Sequence, residues 1–372
     1  MIGLARPDIQ MTNLNYYLHD DPRLPLAWAP WFSHEYITYF SVQASDQIMS
    51  LPPVPVKPKP DFENNNWPVG PKHVDLYKES SSENRKLPLL SSYSYAERNG
   101  KYSAVPPENT TIEPWKILVI YTTEPDLNPD CDLYLHPYQK ITGGSHGWRH
   151  MQFRVLGKKF GIATESFHIH WSLAHKAFQN NNDYWGWRYL SRCTHYLADL
   201  GNPFHVYAVP PWFLIRNLFS SNKLFQVLSA VHQSYEIYAE RRFRERFLPF
   251  QEALMQGASV GLNEDRDVKN EINAYRHRAA TRMKSIFYYF LDEFGQELID
   301  AFGQMSQNSH LDAAAQTNLC SKDASDVIFK DRHLSSLVYL DHVTVDILSD
   351  VGRMLGLLLK TFSSREFSAR KN

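Results

Sequence analysis

From Met151 to Leu200 the chain contains no proline, and its apolar positions recur at intervals of three and four. That spacing lays an apolar stripe along one helical face, and the missing proline removes the commonest cause of a helix break. The segment therefore reads as helix. It divides into two at Asn180, Asn181, Asn182 and Asp183, whose short polar side chains favour caps and turns. The second helix, DYWGWRYLSRCTHYLADL, is expected to stop at Gly201, with Pro203 just beyond, the usual end signal.

Other stretches agree. LPLAWAPWFSHEYITYFSVQA (Leu24 to Ala44) suggests a loop and then a helix near Ser33. Helical texture returns over residues 224–250, 270–304 and 323–361. WKILVIY (Trp115 to Tyr121) is too short to separate strand from buried helix. The proline-dense segment 51–73, LPPVPVKPKPDFENNNWPVGPKH, is a long extended loop, because each proline removes a backbone donor. Residues 74–112 are polar and irregular. Strand alternation is rare, so the expected fold class is all-α.

Composition narrows the functional classes. The 372 residues carry a formal net charge of −1, so no global field draws the chain to nucleic acid or anionic membrane. Aromatic residues reach 14%, which fits a large aromatic core or an apolar surface used on lipid or bases. The cysteines, Cys131, Cys193 and Cys320, are few and scattered, against a disulfide framework or a cysteine zinc knuckle. The sixteen histidines stand out, since imidazole is a favoured zinc ligand. No apolar run approaches the roughly 20 residues of a membrane span. Met1 to Asp21 lacks the basic-then-apolar pattern of a secretory signal.

HYLADLGNPFH (His195 to His205) is the strongest local feature. His195 and Asp199, four apart on a helix, project from one face, and the turn at Gly201 to Pro203 can swing His205 back beside them. His232 and Glu236, in HQSYE, repeat the spacing on another helix. Each pair alone is a weak signal. Two facing helices bearing such pairs can build adjacent metal sites. FHIHWSLAH adds His168, His170 and His175; only the first and last share a face, and all three read as packing groups or as groups that support metal ligands from behind. No GxSxG elbow, HExxH helix or GxxxxGK[ST] loop occurs, which favours metal-activated water over a covalent nucleophile.

HYLADLGNPFH followed by HQSYE resembles the core of the zinc-dependent phospholipase C and single-strand-specific nuclease family, whose pattern is His-Tyr-x-x-Asp, a turn with Pro-x-His, then His-x-x-x-Glu. The resemblance implies a multi-helix domain with a trinuclear-type site of two or three Zn²⁺ ions. It places His195 and Asp199 on one metal, His205, His232 and Glu236 on another, and makes Asp199 a bridge. IYTTEPDLNPD (Ile120 to Asp130) resembles the family loop that supplies a further carboxylate, matched at Asp126 as metal ligand and water-orienting base; Asp130 and Asp132 compete. For the upstream histidine, His150 fits better than His146 or His136. WAPWFSHEYI supplies Trp28 and His34 for the last ligand set, where the family binds metal through the amine and carbonyl of an N-terminal Trp; here 27 residues precede Trp28.

The resemblance divides the chain into an N-terminal extension over 1–27, a phospholipase C-like domain over 28–260 and a C-terminal helical extension over 261–372, packed on the same body. The expected activity is zinc-dependent phosphodiester hydrolysis, foremost a phospholipase C releasing diacylglycerol and a phosphorylated headgroup from a phospholipid or membrane surface. A single-strand nuclease acting on nucleic acid, and a non-catalytic membrane- or partner-binding relative, are the alternatives. The family's usual location makes the protein secreted or extracytoplasmic. VYAVPPWFLIRNLFSSNKLF, between His205 and His232, holds Trp212, Phe213, Leu214, Ile215, Leu218 and Phe219, a candidate lipid contact or packing helix. Leu127 beside Asp126, where phospholipase relatives often carry an aromatic, argues against choline recognition. VGRMLGLLLKTF is amphipathic enough to pack on the body or to dock on a membrane.

Overall fold

The computed structural model describes residues 33–57, 111–122, 125, 135–142, 144–216, 221–295, 297–298, 325–330 and 335–369. These residues are mostly helical, with two small antiparallel strand pairs. In chain order they form α1 (Ser33–Gln43), α2 (Asp46–Met49), β1 (Val54–Pro55), β2 (Thr111–Ile112), α3 (Pro114–Tyr121), a 3-10 turn (Gln139–Thr142), α4 (Ser145–His150), β3 (Gln152–Val155) and β4 (Lys158–Gly161). Then come α5 (Ala163–Gln179), α6 (Asp183–Gly201), α7 (Pro203–Val206), α8 (Pro211–Arg216), α9 (Ser221–Arg244), α10 (Leu248–Asn263), α11 (Val268–Glu293) and α12 (Leu337–Ala369).

The break expected after Gln179 is present. Asn182 caps α6, its side chain accepting from the Trp185 amide, which satisfies one of the donors a helix start leaves open. Most of α6 is buried, with α3, α5, α11 and α12 against it. Even Arg188 is buried there. Its guanidinium lies 4.3 Å from the ring centroids of both Tyr121 and Trp185, faces that attract a cation.

One expectation is corrected. The helix drawn from Met151 begins only at Ala163, because β3 and β4 form a hairpin with Phe153 opposite Phe160. Leu156 and Gly157 make its turn at φ 48° and 80°, the left-handed pair that a two-residue hairpin loop needs. Leu156 is 94% exposed, so an apolar residue that looks like part of a helical stripe belongs to a turn tip. Phe153 and Phe160 are buried with Trp148 and Ile162; this small aromatic cluster, not a helical face, uses the apolar positions. WKILVIY resolves as α3, with Pro114 at its start, where a missing amide costs nothing. Within the proline-dense stretch, Val54–Pro55 pairs with Thr111–Ile112; positions 58–73 lie outside the described residues.

The C-terminal part of the chain belongs to the same hydrophobic cluster as α6. Helices α10 and α12 run in the same direction with their backbones in contact. A Cβ at Gly257 would stand 2.2 Å from the Ser349 carbonyl oxygen, and one at Gly261 2.0 Å from that of Arg353. Gly352 and Gly356 meet Leu254 and Ala258 in the same way, so any side chain at this seam would force the helices apart. VGRMLGLLLKTF thus packs inside: Val351, Met354, Leu355, Leu357, Leu358 and Leu359 are buried. Arg353 Nε donates to Glu264 Oε1 at 2.6 Å and locks the register. At the end of α6, Tyr275 donates to the Leu197 carbonyl at 2.7 Å. A Cβ on Gly201 would fall 2.1 Å from the Tyr275 hydroxyl and 2.5 Å from a Val351 methyl. Among the described residues no helix is long and apolar enough to cross a membrane.

Candidate metal centre

Helix α6 presents His195 and Asp199 on one face, with His195 Nε2 3.2 Å from Asp199 Oδ2. The chain then reverses. Asn202 Oδ1 accepts from the Phe204 amide at 3.0 Å and caps α7, while Pro203 opens it. The reversal carries His205 back until its Nδ1 is 3.0 Å from Asp199 Oδ1.

Two other elements reach the same carboxylate. His34, near the start of α1, stacks on His195 with ring centroids 3.9 Å apart, and its Nε2 is 3.7 Å from Asp199 Oδ1. His150 ends α4, and its Nδ1 lies 2.9 Å from both Asp199 Oδ2 and His195 Nε2. Asp199 is thus ringed by imidazoles from four places in the chain.

Helix α9 adds the second pair. His232 Nε2 lies 2.9 Å from Glu236 Oε1, and His205 Nε2 lies 3.2 Å from the same oxygen. Asn202 Nδ2 donates to that oxygen at 3.1 Å. His205 therefore has one nitrogen toward Asp199 and the other toward Glu236. The side chain of His232 is 18% exposed, whereas the Asp199 side chain is 1% exposed, so the group is more open at its α9 side.

Electrostatics favour the states a divalent ion requires, neutral imidazole and ionised carboxylate. Burial opposes ionisation of Asp199, yet His195, His150 and His205 hold its carboxyl well below the usual range. At Glu236 burial is again outweighed, here by His232 and His205, and the pKa falls to about 2. Burial keeps His150 neutral, down at about 3, against the pull of Asp199. His34 is likewise held well below its ordinary value by burial and by its neighbour His195. His205 is the opposite case: burial disfavours its charge, but Asp199 and Glu236 lift it to about 10, so metal binding there must displace a proton.

The donor atoms of His34, His195 and Asp199 lie within 4.8 Å of one another, as do those of His205, His232 and Glu236. These buried groups could hold metal ions. A tetrahedral zinc ion with bonds near 2.1 Å sets its ligands about 3.4 Å apart, and the separations here, 2.9 to 3.7 Å, bracket that value. The nitrogen and carboxylate donor set also suits zinc.

Of the residues proposed from sequence, the structure brings together His34, His150, His195, Asp199, His205, His232 and Glu236. Trp28, Asp126, Asp130 and Asp132 lie outside the described residues, as does the side chain of His146. His136 is used elsewhere, stacked on Trp148 at 4.3 Å. His170 is buried, its Nδ1 2.9 Å from the Ser166 carbonyl oxygen, and His175 packs against Trp171 and Phe362; both are packing groups. Sequence reasoning missed Asn202 and Arg149. Asn-Pro is a turn signal that marks Asn202 as a cap; nothing local marks Arg149.

No family model, no curated protein and no solved structure matches this chain.

Proposed function

We propose that the protein is a zinc-dependent phosphodiester hydrolase of the phospholipase C and single-strand-specific nuclease type, acting foremost as a phospholipase C. The observation that carries this reading is the convergence on Asp199 of imidazoles from α1, α4, α6 and α7, with the His232 and Glu236 pair joined to it through His205. A carboxylate so placed can bridge two ions.

His150, His195 and Asp199 would hold one zinc, and His205, His232 and Glu236 another; His34 and Asp199 would contribute to a third. When bound, the ions supply positive charge against an anionic phosphodiester and acidify water to near neutral pKa. The chain's own groups do the rest. Asn202 holds Glu236 in place from outside the donor set, the kind of support that keeps a ligand oriented. Burial keeps His34 and His150 in the neutral form that a metal ligand needs. Asp126, by resemblance, orients the attacking water and takes its proton.

Support for a lipid substrate comes from α8, which lies just after His205 in the chain. Phe213 turns inward to Phe287, with ring centroids 4.9 Å apart, whereas Trp212 is 71% exposed and Ile215 52% exposed. An aromatic and an aliphatic side chain presented together suit a lipid interface. The exposed indole also fits base stacking, which is the nuclease reading.

The test is zinc content by elemental analysis, followed by turnover of phospholipid vesicles and of single-stranded DNA. The expected result is two or three zinc ions per chain, lost in a His195→Ala, His232→Ala double variant, with diacylglycerol released from vesicles. Turnover of DNA alone would select the nuclease. A protein that takes up no zinc sinks the hydrolase reading.

A further inference from the structure

Arg149 is 1% exposed, and no step of the proposed chemistry uses it. Its Nη1 donates to the Tyr196 hydroxyl at 2.9 Å and its Nη2 to the Pro125 carbonyl at 3.0 Å. Each contact is one residue from a member of the proposed centre. Tyr196 follows His195, Asp126 follows Pro125, and Arg149 itself precedes His150. The guanidinium is a planar fork that can serve two acceptors in fixed directions at once. Placing that charge in the core is costly unless its donors are well used.

The chain just before Pro125 is tied to α6 at a second point. Thr122, at the end of α3, has its hydroxyl 3.0 Å from that of Thr194. The Thr38 hydroxyl of α1 lies 3.2 Å from each. Thr194 precedes His195, and Thr38 lies one helical turn beyond His34. The three hydroxyls and the guanidinium thus clamp Thr122 and Pro125 against α6 from two sides.

We infer that Arg149 is a positioning residue for the metal centre, its guanidinium joining the Tyr196 hydroxyl to the Pro125 carbonyl so that His150, His195 and the Pro125 backbone keep one relative placement. This rests on the zinc-centre reading above. The role is selective. Arg149 touches the side of the centre built from α4, α6 and Pro125, whereas His232 and Glu236 come from α9. Loss of the fork therefore weakens the position held by His150, His195 and Asp199 and spares the one held by His205, His232 and Glu236. Groups that orient ligands from outside typically change metal affinity by about 10–100-fold.

The experiment is a Co²⁺ titration of the full chain, freed of metal by chelation, read by d–d absorption and by metal counting after dialysis. Wild type, Arg149→Met, Arg149→Lys and Tyr196→Phe are compared, with circular dichroism and thermal melting of the metal-free forms alongside. Arg149→Met is expected to lose roughly 10–100-fold in affinity for one ion while the other binds as in wild type. Arg149→Lys keeps the charge but not the fork and is expected to stay weak. Tyr196→Phe deletes one acceptor with little change in volume, is expected to lose about tenfold at the same ion, and carries the test alone if the Arg149 variants do not fold. Equal weakening of both ions, full rescue by lysine, or wild-type affinity in Arg149→Met or in Tyr196→Phe would overturn the positioning role and leave the zinc reading intact. Absence of Co²⁺ and Zn²⁺ binding by wild type would overturn both.

Discussion

His205 Nδ1 stands 3.0 Å from Asp199 Oδ1 although the two residues belong to different helices, separated by the reversal at Gly201–Pro203. The ring's other nitrogen is 3.2 Å from Glu236. A single imidazole therefore stands between the two carboxylates and is held by both.

Asp199→Asn tests that arrangement. The amide keeps the shape and removes the charge that the surrounding imidazoles face. Zinc content is expected to fall by at least one ion per chain, and the metal-free protein to lose about 3–5 kcal/mol, the usual cost of breaking a buried pair. Elemental analysis and urea unfolding read the two effects. Unchanged zinc content would remove Asp199 from the centre.

The metal-free protein is expected to be most stable near pH 6.5. His205 has a folded pKa of about 10, raised above the ordinary 6.5 by Asp199 and Glu236 against burial. Its stabilisation is full below 6.5 and disappears as pH rises toward 10. Burial lowers His150 to about 3 and His34 well below its ordinary value. The unfolded chain therefore takes up protons there first, and stability drops as pH falls below 6.5. Saturating zinc should flatten the alkaline limb, since a ligated His205 carries no proton to lose. Melting temperature from pH 5 to 10, with chelator and with zinc, checks this. A chelated protein whose stability keeps climbing through pH 9 would contradict the account of His205.

Gly261→Val addresses the seam between α10 and α12. A Cβ there would meet the Arg353 carbonyl oxygen at 2.0 Å, and backbone cannot swing aside as a flexible side chain can. Overpacking of this kind costs about 1–3 kcal/mol, occasionally more. The urea midpoint is expected to drop by a corresponding amount, and unchanged stability would mean that the helices do not approach this closely.

Trp212→Ala separates interface from chemistry. The indole is 71% exposed, so stability should change by no more than about 0.5 kcal/mol. If α8 meets lipid, turnover of vesicles is expected to drop severalfold while a soluble short-chain phosphodiester is cleaved as before. Equal loss on both substrates would place Trp212 in the chemistry instead.

Much of the helical plan is legible in the sequence because its signals are local. The polar run at Asn180 to Asp183 and the Gly201–Pro203 stop both mark real helix ends. The spacing of His195 and Asp199, and of His232 and Glu236, is enough to put each pair on one helix face. The β3–β4 hairpin is hidden because Leu156 and Gly157 are not a typical turn pair and an exposed leucine mimics an apolar stripe. Arg149 is illegible for a different reason. Its partners Tyr196 and Pro125 are remote in sequence, and no local pattern encodes a long-range donor. The glycine spacings at Gly257, Gly261, Gly352 and Gly356 are visible in the sequence, but which helix faces which is a tertiary fact.

Gly201 has a consequence for how the protein comes into being. The space beside it is filled by Tyr275 of α11 and Val351 of α12, which leave the ribosome well after α6 does. At roughly 5–20 residues per second, α6 waits several seconds for the partners that close the face at Gly201, while α3 and α5 are already made. Closure of the α6 end beside Asp199 is therefore a late event in folding, timed by translation of α11 and α12 rather than of α6 itself.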